Sequence, residues 1–521
     1  MINFDMLHQH YFLTMGPLLV VTATAFVVMI LEFLLRRRAQ AWLTGIAMLG
    51  VAVALAVAIA HFYAQPQLTL NTMVIDAIGS VFSVLILITT LLILWFTLDY
   101  SRRHHVAGEH TYLLLFAVVG ALAMATAIDL ITLYVGLELL SVASYVLVAV
   151  RTRSARSVEG GLKYLLMGSI GSAVLLYGMT FIYGISGYTN LVQIGMDATS
   201  LWASYPAVVA LSFVLMLAGM GVKLALVPFH MWAPDAYDGA PSPVSAFLAT
   251  LAKTAAFVML LRVMLFLFNA VASNLFSWFG VLAAVTMIVG NLIALPQRNM
   301  KRLLAFSSVA QAGYVMVPFA LFGATPYTDW YALFDSIAFY LFAYTFMTVG
   351  AFAVVEIVSR ERGTVDADAL IGLYRRSPWL AAALSVFVLS LAGMPLTAGF
   401  VGKVYIFTTA IHARGVWLAV ILFATSVVSF YYYLGWLRRV FQRPAAEGAP
   451  ADAGEGAAAQ AAGAAAVQVV GAAAAPDVAP APAPARQAAI HSLIAVCALA
   501  TLVLGIVPAS LLHPLALQRW F

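Results

Sequence analysis

The chain has five lysines, and four of them, Lys163, Lys223, Lys253 and Lys403, fall inside long apolar runs, while Lys301 reads as a loop residue. A glutamate, Glu138, lies within DLITLYVGLELLSVASY, too far from either end of the run for its carboxylate to reach water. A charge at the centre of a membrane helix costs about 2.5–3.5 kcal/mol on insertion scales, so residues of this kind mark ion or proton pathways. Desolvation disfavours the charged form of an acid and of a base alike, so both can load and release protons near the working pH without a metal or cofactor. An ionised Glu138 favours a charged lysine nearby, and withdrawing that charge drives the proton onward. A string of such lysines along the membrane midplane reads as a lateral proton wire. The competing reading of Glu138, Lys223, Lys253 and Lys403 is a fixed structural partnership. Lys163 lies only a turn or two inside its run, where its stem can reach the interface. His230 follows Pro228 and is a candidate relay or a helix cap. Glu32, Asp76, Asp129, Glu159, Asp335 and Glu356 sit near the ends of runs and read as solvated boundary charges.

The elements that hold these residues must be membrane helices. Of 521 residues, 64% are hydrophobic and only 9% charged, with a mean hydropathy of +0.99. A soluble globular chain carries roughly 25% charged residues, far more polar surface than is available here. The apolar runs reach the roughly 20 residues needed to cross a hydrocarbon core, and they lack the alternation of barrel strands. Fourteen spans are expected, near 12–35, 41–63, 73–98, 111–128, 130–150, 161–183, 207–230, 243–268, 276–296, 303–323, 331–358, 378–411, 416–437 and 489–512. Arginine and lysine clusters follow the odd-numbered spans: Arg36–Arg38, Arg102 and Arg103, Arg151 to Arg156, Arg298 to Arg302, Arg360 to Arg376, and Arg438 to Arg443. The other side carries little beyond Arg414 and Arg519. Excess Lys and Arg mark the cytoplasmic face, which places both termini on the periplasmic side. The net charge of +5 reflects this loop bias and argues no affinity for nucleic acid.

The expected architecture is an all-α polytopic membrane protein with two inverted five-helix repeats, each containing a broken helix. Span 7 contains LAGMGVKLALVPFHMW and span 12 contains LAGMPLTAGFVGKVYIF. Both are interrupted by glycine and proline beside a lysine, and they lie an odd number of spans apart. Interrupted helices at matching places in two halves mark a transport path at the breaks. The expected organisation is therefore an N-terminal three-helix unit at 1–103, a first repeat at 104–270, a second at 271–443, and a final helix within 488–521. Residues 444–487, an Ala/Gly/Pro-rich stretch, read as a disordered cytoplasmic linker. The single cysteine, Cys497, reads as a small buried apolar residue; alone it builds no disulfide, zinc or iron–sulfur site. The acidic, histidine-containing start does not resemble a cleavable signal.

The stretch KLALVPFHMWAPDAYDGAPSPVSAFLATLAK, residues 223–253, resembles the antiporter-like subunits of complex I, the NADH:quinone oxidoreductases. That superfamily also includes Mrp-type cation/proton antiporters and membrane-bound hydrogenase subunits. DAYDGAPSPVSAFLAT, ending in a lysine, looks like the N branch rather than the L and M branches. NMKRLLAFSSVAQAGYV, residues 299–315, and LAGMPLTAGFVGKVYIF match the same pattern, and the resemblance covers nearly the whole chain except 444–487. It implies that Glu138 is the carboxylate of the pumping motif and Lys223 its central lysine. Lys163 would modulate that pair, Lys253 would connect the halves, and Lys403 would lie near the exit path. The lysine at 403 and the absence of a long lateral helix after the last span both suit the N branch. The resemblance implies a bacterial inner membrane and no cofactor in this chain. FMN, iron–sulfur clusters and quinone would belong to partner subunits, beside a neighbouring antiporter-like subunit and small membrane subunits. Two other classes remain in view: an Mrp-type Na⁺/H⁺ antiporter subunit, and a structural spacer whose charges form fixed pairs.

Overall fold

The computed structural model describes residues 15–35, 40–62, 67–69, 71–104, 109–271, 277–322, 330–443 and 488–508. The expected linker at 444–487, the arginines at 36–38 and Arg519 lie outside the described residues. The chain opens with α1 (Gly16–Leu35) and α2 (Gln40–His61). A small hairpin of β1 (Gln67–Thr69) and β2 (Met73–Ile75) follows, where a helical span was expected to begin at 73. Then come α3 (Ala77–His104), α4 (Glu109–Thr126), α5 (Leu130–Val148) and α6 (Ala155–Ser186). Asp129, expected as a solvated boundary charge, is buried instead and caps α5 by accepting from the Ile131 and Thr132 amides. Such a cap satisfies amides that the first helical turn leaves unpaired, which matters most where no water can serve.

An element that the run-by-run reading missed comes next, the amphipathic α7 (Leu191–Ser204), with Leu191, Ile194, Ala198 and Leu201 buried. Then α8 (Pro206–Leu224) stops at Ala225, which takes a left-handed conformation (φ 54°). The chain turns through 225–232 into the short α9 (Ala233–Gly239). The expected eighth span is built from α10 (Ser242–Ala249), α11 (Leu251–Arg262) and a π-helical turn, Val263–Leu267. The second half continues with α12 (Ser277–Ala294), α13 (Met300–Phe319), α14 (Trp330–Arg362) and the short α15 (Leu373–Arg376). The expected twelfth span is two helices, α16 (Pro378–Ala392) and α17 (Ala398–His412), separated by Gly393 at φ 95°. Finally α18 (Val416–Phe441) and α19 (Ala488–Ile506) complete the described fold.

Eleven helices among the described residues are long and apolar enough to cross a membrane, with shorter apolar helices at Trp278–Ala294 and Pro378–Ala392. Helix α13 is long enough but falls short in hydropathy, because Lys301 and Arg302 open it and Ser307, Ser308, Gln311 and Tyr314 line one of its faces. Helices α3 and α14 and the α10–α11 rod are buried along most of their length and form the centre of the bundle. The two halves repeat one set of partnerships. Helices α4 and α5 pack together, α6 packs on α8, and α11 returns to α4; likewise α12 packs on α13, α14 on α16 and α17, and α18 on α12. The shared LAGM string is not in register with these breaks. It precedes the first break by several residues and contains the second, so Lys223 comes before its break and Lys403 after.

Close backbone contact holds the α4–α5 pair. A Cβ at Gly120 would come 2.4 Å from the Gly136 carbonyl oxygen and 2.6 Å from the Leu140 nitrogen. Small residues let membrane helices approach in this way where no hydrophobic drive separates protein from lipid. Gly120→Val is expected to destabilise the fold by about 1–3 kcal/mol or more. Gly184→Ala, where nothing lies within 4 Å of the added carbon, is the control. Thermal unfolding of the purified variants checks both.

Candidate functional site: a row of buried lysines

Lys223 sits in the last turn of α8, 7% exposed. Its Nζ donates to the Tyr145 hydroxyl at 2.9 Å and lies over the rings of Tyr145 and Tyr164, at 4.7 and 5.2 Å from their centroids. Ring faces attract a cation most strongly where water is absent. The cage is braced from behind. Tyr164 stacks on Trp232 at 4.1 Å, and the Trp232 indole donates to the Val222 carbonyl at 2.8 Å, in the last turn before the helix break. Gly168 makes room for the cage, since a Cβ there would come 2.0 Å from the Tyr145 hydroxyl. Glu138 lies two turns before Tyr145 along α5. Its carboxylate is close enough to act electrostatically on Lys223, Tyr134 and Tyr145, yet its Oε1 is buried without a hydrogen-bond partner.

Lys253, on α11 at 2% exposure, donates to the Ser308 carbonyl of α13 at 2.6 Å. His230 is buried nearby, within electrostatic reach of Lys253. Its ring meets Phe306 at 6.4 Å, and its polar neighbour is the Pro228 backbone. Lys403, on α17 at 6% exposure, donates to the carbonyls of Leu391 and Ala392 at 3.2 and 2.9 Å and lies 4.8 Å from the Tyr314 centroid. These carbonyls end α16, so Lys403 occupies the negative pole of a broken helix. The polar face of α13 runs between Lys253 and Lys403. Gln311 donates to the Leu391 carbonyl at 3.1 Å and accepts from Tyr340. Asn291 donates to Tyr314 at 3.1 Å and accepts from Tyr432 at 3.0 Å.

Two other residues refine the reading of the sequence. Lys301 was expected in a loop, but it is the second residue of α13, 4% exposed, and donates to the Ala240 carbonyl at 2.9 Å. Arg262, inside the expected span 243–268, is not among the charged residues singled out from the sequence. It is fully buried, and its guanidinium grips Asp76 at 2.5 and 2.7 Å and the Ala125 carbonyl at 3.0 and 2.7 Å. Asp76 is therefore the partner of a buried arginine and not a solvated charge. The signal was present as one arginine deep in the apolar run 251–268.

These groups divide into two kinds. Among the described residues, no carboxylate comes within 4.0 Å of the ammonium of Lys223, Lys253, Lys301 or Lys403; hydroxyl or carbonyl oxygens hold them. Lys163, by contrast, is exposed at the start of α6 and bridges Glu159 at 2.6 Å and Asp235 at 2.7 Å, with Arg302 on the other Asp235 oxygen at 2.5 Å. It stands outside the buried row, one residue before the Tyr164 ring of the Lys223 cage. Partial burial acts to raise the Asp235 carboxyl, but hydrogen bonds from Lys163 and Arg302 outweigh it and hold the group below its usual range.

An interrupted-helix bundle with buried lysines at its breaks defines a class of membrane ion translocators, and known proteins agree. The family described as "NADH:quinone oxidoreductase/Mrp antiporter, TM" matches residues 127–429. An NADH-quinone oxidoreductase subunit N of Geobacillus sp. (strain WCH70) is 43% identical over 459 residues, covering 84% of this chain and 91% of that one. The subunit N of Brevibacillus brevis is 44% identical over 389 residues, covering 72% and 75%. A chain of the respiratory complex I of Thermus thermophilus superposes with a TM-score of 0.72 at 31% identity, over 95% of this chain and 98% of that one. A chain of the Mrp complex of Dietzia sp. DQ12-45-1b shares the fold at a TM-score of 0.78 and 22% identity, over 96% of both chains. The chain belongs to the antiporter-like membrane subunits of the NADH:quinone oxidoreductase/Mrp family, in the subunit N group.

Tyr145→Phe removes the one hydroxyl that Lys223 donates to and leaves the ring in place. A hydrogen bond to a charged group is worth about 1.5–3 kcal/mol. The variant is expected to assemble and to lose proton translocation by roughly tenfold or more, read as proton movement in membrane vesicles.

Proposed function

We propose that this chain is a proton-translocating subunit of a bacterial NADH:quinone oxidoreductase, in which electron transfer in other subunits moves protons across the membrane through Glu138, Lys223, Lys253 and Lys403. The observation that carries the proposal is the burial of three lysines in mid-bundle on neutral oxygens. An ammonium locked to a carboxylate resists giving up its proton. An ammonium held by a hydroxyl or a carbonyl can lose one and keep a hydrogen bond through its remaining N–H groups. Glu138 supplies the controlling charge at one end: ionised, it favours an ammonium at Lys223, and its neutralisation releases the proton along the row. Lys253 links the two repeats, 104–270 and 271–443, with His230 as an adjoining relay. Lys403 passes the proton toward the exit by exchanging its hold on the α16 carbonyls. Lys163, tied to Glu159 and Asp235, modulates the first pair from the side by setting where α6 and Tyr164 lie. The FMN, iron–sulfur clusters and quinone site belong to partner subunits, and a neighbouring antiporter-like subunit and small membrane subunits complete the complex. The face bearing Arg151, Arg298, Arg375 and Arg438 is cytoplasmic, and both termini are periplasmic. Identities of 43–44% to subunits of the oxidoreductase, against 22% to the Mrp chain, favour this reading over a cation antiporter.

Lys223→Ala and Glu138→Gln test the proposal in the assembled complex. Both are expected to assemble with flavin and iron–sulfur subunits and to lose proton translocation; pumping at the unaltered level would identify a spacer. Orientation is tested by labelling. The one native cysteine, Cys497, is buried, so Arg375→Cys provides a single accessible thiol. A membrane-impermeant maleimide is expected to label it in inside-out vesicles and not in right-side-out ones.

A further inference from the structure

The row of lysines needs a supply of protons, and a second set of polar groups reaches it from the basic face. Helix α14 carries Tyr344, Thr348, Phe352 and Glu356 at every fourth position, which aligns them in one stripe along the helix. At its outer end the Ser242 hydroxyl, which opens α10, donates to the Glu356 carboxylate. Glu356 is half-buried and lies within electrostatic reach of Lys301 and Tyr100. Arg151 and Asp238 also act on Lys301, and Arg151 donates to the Tyr100 hydroxyl at 2.8 Å. About a turn deeper, Phe352 packs against the fully buried ring of Tyr237, centroids 6.4 Å apart. The hydroxyls of Tyr237, Ser308 and Thr348 are all buried, and none has a well-formed hydrogen bond. Tyr237 and Tyr344 both face Ser308, and Tyr344 also faces Thr348. The backbone carbonyl of that same Ser308 receives Lys253. The stripe from Glu356 to Tyr344 rises ~18 Å along the helix, enough to run from the surface to the bundle centre.

Buried hydroxyls are almost always satisfied, by ordered water where no protein group reaches them. Three of them gathered between a half-buried carboxylate and a buried lysine, facing one another and Tyr344, mark a polar passage that water can complete. We propose that Glu356 is the residue that loads Lys253. Its carboxylate takes a proton from water at the basic face. Ser242 and the Tyr237, Thr348 and Ser308 hydroxyls, with water between them, carry a proton inward to the neutral amine of Lys253. Lys253 becomes an ammonium, and Glu356 returns to a carboxylate. The inference rests on the proton-translocating role proposed above and adds an acid that the lysine row alone does not identify.

The test uses the whole assembled complex in vesicles, with proton translocation measured per NADH oxidised. Glu356→Gln keeps the Ser242 hydrogen bond but cannot carry a proton, so it is expected to assemble normally and lose translocation several-fold, with Glu356→Asp restoring most of it. Thr348→Val, which preserves volume and deletes one hydroxyl, is expected to lower translocation in the same direction without altering thermal stability by more than a degree or so. Normal pumping in Glu356→Gln, beside a Lys223→Ala variant that has lost it, overturns this inference and leaves the proposed function standing. Normal pumping in both overturns the proposed function itself.

Discussion

Lipid offers no partner to an ammonium group, so each lysine within this bundle must be supplied with oxygen from the protein. The oxygens supplied here are neutral ones. Tyr145 offers a phenol to Lys223, Ser308 a carbonyl to Lys253, Ala240 a carbonyl to Lys301, and the end of α16 two carbonyls to Lys403. Much of the unusual backbone serves this requirement. A continuous α-helix spends its carbonyls on its own amides and offers only their second lone pairs, as α13 does at Ser308. A helix that stops in mid-bundle exposes its last carbonyls, and they accept Lys403 and the Trp232 indole. The breaks at Ala225 and Gly393 are thus the local condition for holding charge and hydrogen-bond donors away from water.

The same logic separates charges fixed in ion pairs from charges held by neutral oxygens. Arg262 and Asp76 meet in a two-pronged grip with Gly79 and Ala125 contributing backbone groups, and a guanidinium does not give up its proton in a protein. That pair fastens α11 to α3 and α4 beside the π-helical turn. Lys163 and Arg302 share Asp235 at the rim, where solvent screens the attraction and the bond is worth little by itself. Neither cluster suits proton transfer. The lysines on neutral oxygens do, because no hydrogen-bonded carboxylate holds their protons in place.

Much of the helix order could be read along the chain, because membrane crossing demands long apolar runs and leaves a visible record of each. Asp76, Asp129 and Lys301 were harder. Each stands at the end of a run, where a solvated side chain and a buried one look alike in sequence. Helix α7 escaped because an amphipathic helix lying on other helices has too few apolar residues for a span. The lower hydropathy of α13 carried real information, since Ser307, Ser308, Gln311 and Tyr314 build the polar route between Lys253 and Lys403.

The amino-acid sequence by itself determined that this chain is a helical membrane protein, which residues are charged within its apolar runs, and where glycine and proline interrupt them. Those are matters of composition and local backbone chemistry. Only the tertiary structure decided which oxygen each lysine faces, because those oxygens lie on helices distant in the chain: Tyr145 on α5 for Lys223 on α8, and Ser308 on α13 for Lys253 on α11. Backbone carbonyls carry no sequence signature at all. A lysine held by one becomes recognisable only when the helices are packed together, and for Lys403 only when one of them has been broken beside it.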